Sequence, residues 1–245
     1  GCAIGYLVAA SPPEMIKFLV SLILRSCRGS PYTKKAYIDL VKMMYEIFIV
    51  GRQQGLVGLE NHVMEPRQSS VIGRYPFFLN SPHVVEFFMD SMKPVIDGKL
   101  KADQLKAYLD AKLASKELRD YHPVNLLGKV GDALPGLGIV AAVLGIIVTM
   151  AKIDGPLEEV GGHVASALVG TFLGVFLSYG FVQPLAANIE FLNHDEFAYF
   201  NIIRNGIVTF AGGASPMAAA ETMRSGIPDD RRVDADTMES LLKKN

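Results

Sequence analysis

Charged residues are spread unevenly along this chain. Between Asp132 and Lys152 lies ALPGLGIVAAVLGIIVTMA, and between Glu159 and Glu190 lies VGGHVASALVGTFLGVFLSYGFVQPLAANI. Neither run holds an Asp, Glu, Lys or Arg. A helix needs about 20 residues to cross a hydrocarbon core of about 30 Å, and both runs are long enough. Only KIDGPLEE separates them, which predicts a helical hairpin with a tight external turn. Two buried core helices of a soluble protein are the alternative, but charge-free stretches of this length are rare outside membranes.

The flanks set an orientation. Lys112, Lys116, Arg119 and Lys129 precede the first run, whereas the connecting loop sets Lys152 against Asp154, Glu158 and Glu159. The excess of positive charge on cytoplasmic flanks places the loop outside and the segments beyond both runs in the cytoplasm. Arg25, Arg28, Lys34 and Lys35 follow an apolar N-terminal stretch and agree with that placement. Residues 1–13 carry no charge, are too short to span a bilayer and lack the basic leader of a signal peptide. They are expected to be the end of a membrane segment.

Elsewhere the apolar spacing is that of a helical domain. Tyr37, Leu40, Val41, Met44, Tyr45 and Phe48 form one stripe of a helix expected over 34–54, with Gly55 as its stop. A second helix is expected from Ser81 as N-cap and Pro82 in the first turn, with Val84, Val85, Phe87, Phe88 and Met92 inward. A third covers roughly 102–118, with Asp103, Lys106 and Asp110 exposed. A further helix continues the last span beyond Glu190, and the polar tail after Gly226 is expected to be loosely ordered. The fold class is all-α: a polytopic membrane protein with transmembrane helices and a helical cytoplasmic domain. Its regions are 1–24, the end of an N-terminal transmembrane region; 25–131, cytoplasmic; 132–189, the transmembrane hairpin; and 190–245, a cytoplasmic helix and tail.

Composition narrows the function. The chain is half hydrophobic, with a mean hydropathy of +0.26, and its net charge of -1 argues against a nucleic-acid partner. Cys2 and Cys27 have no metal-ligand or disulfide spacing and read as small hydrophobes. No GxSxG, Walker loop, HExxH or CxxC is present, so no enzyme is indicated and no cofactor or metal is expected. Within the spans, Ser166, Gly170, Gly174 and Ser178 form a small-residue stripe, and Ala141 and Gly145 share a face. Such stripes let backbones approach closely, either within one subunit or between subunits. Pro135 and Pro184 each remove a backbone donor and free a carbonyl; this serves a cation path or merely kinks a helix end. The polar membrane candidates are Thr149, His163, Ser166, Thr171, Ser178, Tyr179 and Gln183. Proton paths ordinarily need an ionisable group in the membrane, so a conducting assembly must take its carboxylate from another chain.

VGDALPGLGIVAAVLGIIVTM, GPLEEVGGHVASALVGTFLGVFLSYGFVQPLA and the earlier GRQQGLVGLE resemble the MotA family of flagellar stator subunits, within the MotA/TolQ/ExbB proton channels. The likeness spans nearly the whole chain. It implies four transmembrane helices, the opening GCAIGYLVAAS being part of the second, in a multi-pass protein of the bacterial inner membrane. It also implies a pentamer around two copies of MotB, whose membrane aspartate carries the proton. By the same resemblance Pro135 and Pro184 couple ion flow to shape change, Thr171 lines the path, and Tyr179 lies near it. Ala142 stands where sodium-driven relatives of the PomA type carry a threonine, which points to H+ as the transported ion. Arg52 and Glu60 correspond to charges that meet the rotor protein FliG; the residues alone read equally as solvated charges at a helix end. An ExbB/TolQ-type motor energising an outer-membrane system is the alternative within the family, and a passive membrane scaffold is the alternative outside it.

Overall fold

The computed structural model describes residues 2–243, all of its regular structure helical, with no strand among the described residues. The helices are α1 (Cys2–Ala10), α2 (Pro13–Ser26), α3 (Lys34–Met64), α4 (Pro76–Leu79), α5 (Pro82–Ile96) and α6 (Ala102–Met150), followed by α7 (Leu157–Leu177), α8 (Gln183–Ala211), α9 (Pro216–Ser225) and α10 (Ala235–Lys243). A single π-helical turn, Ser178–Val182, joins α7 to α8. The chain divides into two compact units: residues up to Gly29 with Leu118–Asn193, and Ser30–Glu117 with the chain from His194 onward.

In the second unit an aromatic core closes on itself. Tyr37, Met44, Phe48, Phe88, Met92, Ile203 and Ile207 are fully buried or nearly so. Phe48 stacks on Phe210 with ring centroids 4.5 Å apart, a pairing that adds about 0.5–1.5 kcal/mol beyond area burial. Helix α3 begins at Thr33, whose hydroxyl accepts from the Ala36 N–H, so the N-terminal donors are capped. Gly55 does not stop α3. It breaks it, at φ 74° and ψ -179°, and the chain resumes helically to Met64 with Leu59 and Val63 buried. That backbone region is essentially open only to glycine, and other residues incur about 1–3 kcal/mol there.

Three further expectations change. The Ser81 hydroxyl donates back to Phe77 O at 2.8 Å, so α5 starts without a side-chain cap. The helix expected over 102–118 runs on to Met150, through both Pro123 and Pro135. The tail beyond Gly226 is ordered as α10, because Ile227, Val233, Met238 and Leu242 reach the core at intervals that the polar residues between them disguise. Arg231 fixes this tail as well. Its guanidinium donates to Tyr32 O at 3.0 Å and lies 2.8 Å from the Asp195 carboxylate, which is 5% exposed. Burial raises the nearby Tyr37 hydroxyl to about 12, Arg231 opposing and Asp195 reinforcing the shift. Cys27 is exposed rather than buried, and the Cys2 side chain lies outside the described residues.

The other unit has a small core of its own: Leu19 and Leu22 of α2, Val124 and Leu127 of α6, and Ala186 and Ile189 of α8. Beyond it, α6 and the helical stretch from Leu157 each contain an apolar window long enough to cross a membrane. Only 22% and 17% of those windows are buried within the chain, so these surfaces are covered by lipid or partners, not by a core of the chain's own.

Candidate functional site

The hairpin is held by backbone approach. A Cβ added to Gly174 would sit 2.6 Å from Leu134 O, and one on Gly138 would sit 2.8 Å from Gly170 O. Both obstacles are main chain and cannot swing aside, so these contacts demand glycine. Gly145 is closed in the same way by Ala167, and Gly170 lies against Ala141. The stripe of small residues therefore packs within one subunit, except for Ser166, which is exposed.

Two hydroxyls cross from one helix of the hairpin to the other. Thr171 donates to Gly138 O at 3.4 Å and is half-buried. Ser178, fully buried, donates to Gly131 O at 2.7 Å. Proline has no N–H, so Pro135 leaves the carbonyl four residues earlier without its helical donor; that carbonyl belongs to Gly131. Ser178 thus supplies what Pro135 removes. Its own carbonyl accepts the Gln183 N–H, the bond that widens residues 178–182 into a π turn. Pro184 follows at once, where a regular turn would press its ring against Gly180 O. The Gln183 amide then reaches back across the hairpin to the Asp132 carboxylate at 2.9 Å. A groove of about 380 Å³ opens beside this pair, and Lys129, Asn125, Tyr121 and Glu190 help to line it.

The expected site residues fall into three groups. Pro135, Ser178 and Pro184 are linked through the bonds just described, Pro135 half-buried and Pro184 exposed. Thr171 belongs to the contact between α6 and α7, and Ala142, 8% exposed, is buried there. Tyr179, within the π turn, is 61% exposed and points away from the hairpin contact. Arg52 and Glu60 belong to the other unit. They are exposed on either side of the Gly55 break, Arg52 donating to Gly213 O at 3.3 Å. Sequence reasoning did not find the Ser178 and Gln183 bonds. The offset from Pro135 to Gly131 names the orphaned carbonyl, but only the fold identifies its donor. Among the described residues, no three His, Cys, Asp or Glu side chains converge to hold a metal ion.

Known proteins match along the length of the chain. The model of the MotA/TolQ/ExbB proton channel family matches residues 82–201, and that of the motility protein A N-terminal region matches residues 1–55. Motility protein A of Salmonella typhimurium is 32% identical over 232 residues, covering 95% of this chain and 79% of the relative. The C. jejuni MotAB structure superposes with a TM-score of 0.75 at 18% identity, over 95% of this chain and 84% of its counterpart. The flagellar MotAB stator complex of Bacillus subtilis does so with a TM-score of 0.71 at 19% identity, over 98% and 83%. At those identities the two structures speak to the fold.

Proposed function

The chain belongs to the MotA/TolQ/ExbB proton channel family, in its motility protein A branch, and on that premise we propose that it is the flagellar stator subunit that forms, with MotB, a proton channel turning ion flow into torque. One observation carries the reading. Two membrane-length helices, bare of Asp, Glu, Lys and Arg and hardly buried by their own chain, pack through glycines into a rigid hairpin. Such a hairpin forms the wall of an ion path and leaves the titrating carboxylate to a partner. The match at residues 1–55 to the motility protein A N-terminal region favours a rotor-driving stator over a motor of the ExbB/TolQ type.

In this reading the protein is a multi-pass protein of the bacterial inner membrane, with the turn at 151–156 outside. Five copies surround two of MotB, whose aspartate is protonated and released in turn. Thr171 and Tyr179 flank the path, Ala142 supplies no oxygen for Na+, and Pro135 and Pro184 allow the hairpin to flex. Arg52 and Glu60 meet FliG, where their exposure suits a fast, transient charged contact. The test is co-expression with an unplugged MotB in a strain lacking its own stator. Cytoplasmic acidification, together with swimming in sodium-free medium when the plug is intact, supports the proposal. Swimming that stops without Na+ overturns the choice of ion, and absence of both flux and swimming overturns the stator reading.

A further inference from the structure

Hydroxyls inside helices ordinarily bond to their own helix. Ser91 donates to Phe87 O at 2.6 Å and Thr149 to Gly145 O at 2.8 Å, each four residues back. Ser178 does otherwise. Although fully buried, it leaves its own helix and bonds to Gly131 O, 47 residues away, the carbonyl freed by Pro135. Five residues on, at the far end of the π turn, Gln183 bonds to Asp132, the residue after Gly131. The two side chains that bracket the wide turn before Pro184 are thus tied to two consecutive residues in the turn before Pro135. The Gln183 N–H to Ser178 O bond closes the circuit. Neither proline break can bend relative to the other without giving up one of these bonds.

We propose that Ser178 and Gln183 are positioning residues that lock the two proline breaks together between strokes, so that each ion passage yields a full movement. The inference rests on the stator reading. It assigns to these side chains a task separate from ion passage: setting how much motion an ion produces. Without Ser178, Gly131 O loses its donor, the breaks flex independently, and ions pass with less work done.

The experiment uses the full-length chain with intact MotB, in cells whose own stator is deleted, and follows rotation of a bead-loaded flagellum as units join one by one. The number of speed steps reports assembly, and the height of each step reports torque per unit. For Ser178→Ala, step height falls about threefold, the factor typical of one interhelical hydrogen bond in a membrane, while step number and acidification with an unplugged MotB stay at the parent level. Ser178→Thr, which keeps the hydroxyl, restores the step, and Gln183→Leu lowers it. An unchanged step height in Ser178→Ala, or no rescue by Ser178→Thr, overturns the proposal. If Ser178→Ala yields no steps at all, Gln183→Leu decides: a reduced step sustains the lock and a parental step removes it. A parent chain that drives no rotation counts against the stator reading instead.

Discussion

Tyr37, Met44, Phe88 and Ile203 have no solvent-accessible surface, whereas Leu168, Phe172 and Phe181 of the hairpin each keep more than half of theirs. The unit that begins at Ser30 hides its apolar side chains in a core of interlocking rings, and it can also enclose the Arg231–Asp195 pair. The hairpin turns such side chains outward and places its smallest residues at the helix contact. In water, burying large side chains is the main source of cohesion. In lipid that gain is absent, and helices cohere through close backbone contact and hydrogen bonds across the interface. The two regions therefore have opposite weak points: one fails on losing a partner inside its core, the other on gaining a side chain at its seam.

The largest effect expected from this contrast is in the hairpin. Gly174→Leu drives a side chain into Leu134 O and the Gly138 backbone, and swarming should be abolished. Gly161→Ala, with open space around it, should leave swarming intact. If both variants swim equally, the seam is not closed as described. Next comes Asp195→Ala, which leaves Arg231 without its carboxylate and should lower stability by about 3–5 kcal/mol, read as a fall in the thermal midpoint of the solubilised complex. Removing both partners, as Asp195→Leu with Arg231→Met, should cost less than removing one. The smallest effect is alkaline. Tyr37 ionises near its ordinary 10 when unfolded and only at about 12 when folded, so the unfolded chain gives up its proton first. Stability tied to this hydroxyl is complete below pH 10 and is lost as pH rises toward 12. Tyr37→Phe should flatten that part of the curve, as measured by denaturant midpoints across the same range.

The hairpin was legible in the sequence because lipid imposes a constraint that composition reveals directly: long stretches without charge. The stripes in α3 and α5 were legible for a similar reason, since 3.6-residue spacing marks a buried face. Gly55 misled because glycine marks both the end of a helix and a sharp break within one; Leu59 and Val63, reaching the core beyond it, decide between them. Pro123 concealed the continuity of α6, for a proline that usually ends a helix can lie inside one when packing holds both sides, and Pro123 is buried. In the tail, four apolar anchors among polar residues were too widely spaced for a periodic signal. The bonds of Ser178 and Gln183 were hidden for a different reason: their acceptors are 47 and 51 residues away in sequence.

The π turn at residues 178–182 holds one residue more than a regular helix would use for the same stretch. Chain length is therefore an adjustable quantity at this place, independent of side-chain identity. Deleting any one of these residues would let the ladder close into ordinary α-helix, swinging the next segment by about 100° and carrying Ala186 and Ile189 off Leu19 and Val124. The reading frame of the fold, as much as its chemistry, is written in that surplus residue.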